Sequence, residues 1–297
     1  MIPVRLEAWL AASLAMLAFA GNSVLCRLAL AGGAQAEASI DALSFTLLRL
    51  CGGALVLTLI MIWSRHRALP KLKGNWCGAF WLAVYAFSFS LAYLRLQTAT
   101  GALILFGCVQ CVLLAASWLS GVRPGRYEYV GLVLAFLGFS ILLVPQASRP
   151  DLLGALLMGV SGFAWAMYTL VGRHSTAPLL DTCGHFIRAS VLALPLLGFI
   201  VWWGRVSFEG VVLALVSGGL TSALGYALWY RALAHFTRSQ AGVIQLSVPL
   251  IAALGGVVFL REPFTVSLLL AIAGVLSGVY LTSHNFEGKS GDISATR

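Results

Sequence analysis

The sequence predicts an all-α integral membrane protein, with ten transmembrane helices arranged as two inverted five-helix repeats. Three observations predict it. Of the 297 residues, 60% are hydrophobic and only 10% charged, with a mean hydropathy of +0.93, which takes the chain out of the soluble class. Apolar runs recur along the whole length, each near the ~20 residues needed to cross a hydrocarbon layer about 30 Å thick. The second half echoes the first at a spacing of about 140 residues. Residues 1–147 form the first repeat, 148–284 the second, and 285–297 a cytoplasmic tail.

The runs follow in order. Ala8 to Ala31 is preceded only by Arg5 and exceeds the apolar core of a cleavable signal, so it is read as a retained helix. Asp41 to Trp63 follows an acidic loop with Glu37, Asn75 to Tyr93 follows a basic cluster, and Ala99 to Ser120 and Tyr127 to Pro145 complete the first half. Leu152 to Gly172, Thr182 to Trp203, Glu209 to Trp229, Ser239 to Leu260 and Phe264 to Ser283 form the second. Pro249 interrupts the ninth run; a proline there frees a backbone carbonyl and permits a bend, making this run a candidate moving part.

Alternate connections differ in charge. One set carries Arg5, Arg65, Arg67, Lys71, Lys73, Arg123, Arg126, Arg173, Arg231, Arg238, Lys289 and Arg297, whereas the other carries only Arg95, Arg149, Arg205 and Arg261. Positive loops stay on the cytoplasmic side. Both termini are therefore expected in the cytoplasm, in a multi-pass protein of the bacterial inner membrane. Although 19 Lys and Arg exceed 10 Asp and Glu, the basic residues stand in small groups between apolar runs rather than on one face, so no nucleic-acid partner is expected.

The repeat is weak but ordered. A shift of 140 residues places Ala99 on Ser239, Gly101 on Ala241, Val109 on Pro249 and Gly138 on Gly278, and a shift of 139 places Arg49 on Arg188. Five helices per half is an odd number, so the second half is inverted relative to the first. With Ala232, Leu233, Ser239, Pro249, Leu260, Glu262 and Gly278, and Trp165, Ala166 and Arg188 upstream, the chain resembles the EamA-type repeat of the drug/metabolite transporter superfamily. The first copy departs from the pattern, with Val109 where proline is expected and Val122 or Arg123 where glutamate is expected. Within the superfamily the layout is most similar to YddG-like exporters of aromatic and neutral amino acids. That resemblance implies a central cavity surrounded by helices one, three, four, six, eight and nine, with five and ten packed outside.

Polar and aromatic groups at mid-membrane depth are the candidates for binding, because a polar atom there needs a partner and a ring offers a flat face. They are Asn22 and Ser23 on the first run, Tyr85, Ser88 and Phe89 on the third, Gln110 on the fourth, Trp165, Tyr168 and Thr169 on the sixth, Ser222 and Tyr226 on the eighth, and Gln245 and Ser247 on the ninth. Ser161, Trp165, Tyr168 and Thr169 share one helical face, as do Gly218, Ser222 and Tyr226. Tyr93, Trp203, Trp229 and Tyr230, at run ends, read as interfacial anchors. Arg49 and Arg188 read as structural or gating residues paired with helix ends or with Asp41 and Asp181.

Carboxylates and histidines all fall at run ends, loops or the tail, which leaves the cavity without fixed charge and without an evident ion-coupling carboxylate. A net-neutral substrate fits such a cavity. Cys108-x-x-Cys111 and the other cysteines read as small membrane-helix residues, and no metal or cofactor is expected. There is no phosphate-binding loop or nucleophile elbow. The expectation is a transporter, not an enzyme: a monomer exporting small neutral metabolites, aromatic or apolar amino acids foremost, by alternating access. The alternatives are export of other metabolites or drugs, such as nucleosides or cationic compounds, and an intramembrane enzyme.

Overall fold

A computed structural model of the chain describes residues 4–31, 38–64, 73–121 and 151–260, with parts of 125–140 and 266–281. Among the described residues, eight helical spans are long and apolar enough to cross a membrane. We label them α1 (Val4–Ala31), α2 (Ala42–Ser64), α3 (Trp76–Tyr93), α4 (Thr98–Leu119) and α5 (Leu152–Gly172). Next, α6 (Pro178–Trp203) runs through a 3-10 turn at Leu194–Leu196, and α7 is Phe208–Leu233. Last, α8 joins Arg238–Gln245 to Ser247–Leu260. These spans take the first four and the sixth to ninth predicted runs. The fifth and tenth runs fall largely outside the described residues, and the positions described between 126 and 140 and between 266 and 281 are helical.

Local chemistry sets the helix starts. Asn75, Asp151 and Ser207 accept from the amides of Gly78, Gly154 and Gly210, and Thr237 with Gln240 forms a capping box. Asp41 accepts from the Leu43 and Ser44 amides at the start of α2. It is therefore a cap and not the partner of Arg49 expected from sequence.

Two helices depart from regular geometry. In α8 the break falls at Leu246, where the proline ring at Pro249 excludes a normal turn onto the Gln245 carbonyl four residues back. The second departure was not expected. Ser217–Leu224 in α7 is π-helical, and a side chain from α1 occupies the widened turn. Asn22 donates to the Thr221 carbonyl and accepts from the hydroxyls of Ser217, Thr221 and Ser222.

The packing pairs the halves crosswise. α1 packs on α7 and α8, α5 on α3 and α4, α2 on α6 and α7, α6 on α3, and α4 on α8. A close backbone approach occurs at Gly218, where a methyl group would overlap the Arg49 carbonyl. Large apolar side chains such as Leu10, Leu14 and Leu17 face outward, as lipid-facing positions do.

Three interfacial assignments are overturned. Tyr93, Trp229 and Tyr230 are fully buried: α7 runs on to Leu233 rather than ending at Trp229, while Tyr93, the last residue of α3, packs against Gly101 of α4 and the Phe89 ring. Trp203 is 70% exposed at the end of α6 and fits an interfacial belt.

Candidate functional site

The centre of the molecule is built around one cation. Arg49, on α2, is buried to 1% exposure. Its backbone meets Gly218 on α7, and its guanidinium reaches Tyr226, eight residues or about two helical turns further along. The side chain thus runs inward along the bundle rather than out to the surface. Nε donates to Ser222 Oγ at 2.9 Å, and Nη2 donates to Tyr226 Oη at 2.8 Å and Tyr85 Oη at 3.1 Å. The guanidinium carbon also lies 5.0 Å from the Phe89 ring centroid and 5.4 Å from that of Tyr85, within cation–π range. Nη1 has no hydrogen-bond partner among the described residues.

The spacing of Gly218, Ser222 and Tyr226 now has a reason. The glycine admits the Arg49 backbone, and the other two accept from its side chain. Behind Ser222 stands Asn22, whose amide oxygen collects three hydroxyls. Buried polar groups in such a network are held in place by mutual satisfaction.

Aromatic rings complete the site. Trp165 lies 4.6 Å from Tyr226, 5.0 Å from Tyr85 and 5.1 Å from Phe19. Its indole donates to Gln245 Oε1 on α8 at 2.7 Å. Ser161 holds α3 by donating to the Tyr85 carbonyl, and the Tyr226 hydroxyl donates to that of Tyr85 at 3.2 Å. Beyond Trp165 the rings continue through Tyr168 to Tyr230 and His185.

That ring column ends at a cavity of about 460 Å³ lined by Lys73, Asn75, His174, Asp181, His185 and Tyr230 among others. The opposite end is tied shut. Ile40 bridges Val206, Asp41 exchanges bonds with the Arg205 backbone, and Ser207 donates to the Ser39 carbonyl. Arg27 donates to the Tyr93 carbonyl, and Arg95 pairs with Asp151 across the surface.

Most predicted site residues meet here: Asn22, Tyr85, Phe89, Trp165, Tyr168, Ser222, Tyr226 and Gln245. Others do not. Ser88 and Ser247 bond to carbonyls of their own helices, and Ser23 is buried on α1. Gln110 sits against Gly242, with neither amide atom bonded among the described residues, and the Thr169 hydroxyl is likewise unpartnered there. Arg188 donates to the Lys73 and Gly184 carbonyls and lies 5.8 Å from the Trp76 ring. It ties a loop to α6, while Asp181 accepts from Gly74 and Ser175 instead.

Sequence reasoning placed Arg49 at the margin and expected a centre without charge; the structure puts its guanidinium among the candidate residues. The available signal was an arginine well inside an apolar run, beyond its only nearby carboxylate, Asp41, at the start of that run. It also missed Phe19 and treated His185 as peripheral. His185 is 2% exposed and faces Tyr168 at 3.4 Å, because α6 begins at Pro178 rather than Thr182.

Fold and site together define a multi-pass helical membrane protein with a polar and aromatic centre, approached by a cavity at one end and closed at the other. Comparison with known proteins is consistent with this. Residues 152–284 match the EamA-like transporter family. The chain is 48% identical to an uncharacterized protein of Pseudomonas aeruginosa over 90% of this chain and 91% of that one. It belongs to that protein's family, with an EamA-like transporter domain in its second half. It is 25% identical to an uncharacterized transporter of Archaeoglobus fulgidus over 73% of this chain and 78% of that one. Similarity to the threonine/homoserine exporter RhtA of Escherichia coli is 30% identity over 55% of this chain, spanning 56% of the exporter. A crystal structure superposes with a TM-score of 0.73 over 94% of this chain and 97% of that one at 19% identity, a likeness of fold.

Proposed function

We propose that the protein is a secondary transporter of the bacterial inner membrane that exports small metabolites, amino acids foremost, by alternating access. The observation that carries this reading is the buried centre: hydroxyls, amides and rings from α1, α3, α5, α7 and α8 converge there. Sites that bind small molecules are mostly apolar with a few convergent polar groups. The EamA-like domain and the amino-acid exporter among its relatives support the same class.

Ten helices in two inverted repeats remain the architecture of this proposal. Exchanging α1–α4 with α5–α8 maps the helix contacts onto themselves: α1 on α7 becomes α5 on α3, and α2 on α7 becomes α6 on α3. Tyr85 and Tyr226, 141 residues apart, bond to each other, as equivalent residues beside a pseudo-two-fold axis can. The cavity beside Lys73 and His174 lies at the end whose loops are basic, which positive-inside orientation assigns to the cytoplasm. The described state then opens toward the cytoplasm and is sealed outside.

Aromatic and apolar amino acids, the YddG-like preference, suit the walls of Trp165, Phe19, Tyr85 and Phe89. A buried guanidinium repels cationic compounds, which disfavours export of cationic drugs. Counterflow in proteoliposomes against amino acids, nucleosides and cationic drugs tests the reading. Amino-acid counterflow is expected, and is expected to fall at least about tenfold in Trp165→Ala and Tyr85→Ala, the effect of losing a stacked, buried ring. Wild-type rates in both folded variants would remove these residues from the site.

A further inference from the structure

We propose that Arg49 is the anchor for a carboxylate on the transported molecule, so that the substrate class is a small organic carboxylate with an apolar or aromatic body. This rests on the transporter reading above. A cation withdrawn from water is normally matched by an anion. Arg49 has none among the described carboxylates. Asp41 and Asp181 are occupied by caps and loop amides, and Glu7 and Asp151 pair with Arg231 and Arg95 at the surface. The groups that do touch the guanidinium are neutral hydroxyls, and they use only Nε and Nη2.

What is left open matches a carboxylate. Nη1 is buried and unbonded among the described residues. The Tyr85 hydroxyl oxygen accepts from both Arg49 and Tyr226, so its own proton is the one left to give. An Arg N–H and a phenol O–H from adjoining residues can take the two oxygens of one carboxylate. The Phe89 and Tyr85 rings flank the guanidinium, and Trp165 stands beside Tyr85, offering apolar faces for the body. The ring column from the cavity leads to this point. In the described state the centre is packed, and entry requires Tyr168 and Tyr226 to part.

The test is thermal unfolding of the purified full-length protein in detergent, at constant ionic strength, with 3-phenylpropanoate, 3-phenylpropanamide, phenethylamine or sodium chloride. The acid is expected to raise Tm by about 5 °C at about 100 times its dissociation constant, with the isosteric amide and the amine without effect. Arg49→Gln is expected to abolish the shift. Equal shifts from acid and amide, or no shift with the acid, overturn the proposal, and both are read on the wild-type protein even if Arg49→Gln does not fold. An equal shift with chloride would make this an inorganic-anion site and overturn it as well. Counterflow of amino acids and their amides in proteoliposomes separates the two readings. Counterflow without preference for the acid leaves the transporter and removes the carboxylate anchor. An acid-specific Tm shift with no counterflow of any compound leaves the anchor and removes the transporter.

Discussion

A single arginine changes the reading of this protein more than any other residue. Arg49 in sequence is one of three basic residues within apolar runs, and its aspartate eight positions earlier invites pairing. In the fold that aspartate caps the helix, and the arginine turns inward to three hydroxyls. Its position depends on Gly218, whose missing side chain lets the Arg49 carbonyl approach. Gly218→Ala is therefore expected to destabilise by about 1–3 kcal/mol through overpacking. Gly159→Ala, at a helical site where an added methyl meets nothing within 4 Å, is expected to be neutral or slightly stabilising through helix propensity. Thermal unfolding of the two variants in detergent checks this, and equal midpoints would contradict it.

At the scale of elements, the two irregular helices are opposite cases. The break in α8 is legible in sequence, because a proline ring excludes the turn four residues back whatever surrounds it. Pro249→Ala is expected to keep the fold while slowing maximal transport several-fold with little change in half-saturating concentration, which counterflow at varied substrate concentration reads out. The π-helical turn of α7 has no such local cause. Serine, glycine and threonine permit it, but Asn22, about 200 residues distant, holds it open. Asn22→Ala would strand up to three hydroxyls, each costing about 1–3 kcal/mol if left unsatisfied. Hydrogen exchange in that variant is expected to accelerate chiefly across 217–224, where the π turn lies; unchanged protection would assign the turn to α7 alone.

At the scale of the whole molecule, the crosswise packing and the single closed end bear on orientation and energetics. In a cysteine-free background, Arg205→Cys is expected to react with an impermeant maleimide in whole cells and Lys73→Cys only after permeabilisation. The reverse pattern would place the cavity outside. None of the described carboxylates lies in the centre, where proton- and ion-coupled carriers generally hold one. Transport is therefore expected without an imposed proton gradient, and strict dependence on one in proteoliposomes would point to a coupling group elsewhere.

The sequence by itself determined the class, the eight described spans to within a few residues, and most of the side chains that meet at the centre. Hydrophobic length and helical spacing are local quantities, and mid-membrane polar residues are costly enough to stand out. Trp165, Tyr85, Ser222 and Asn22 could be chosen on those grounds alone. Only the tertiary structure decided that Tyr93, Trp229 and Tyr230 are core rather than interface, that His185 lines the approach, and that Arg49 sits at the centre. Each of those depends on which helix lies opposite and how closely it approaches. A glycine on α7 and hydroxyls on α3 and α7, up to 177 positions from Arg49, give the arginine its place, and one sequence carries no local signal for contacts made at such distance.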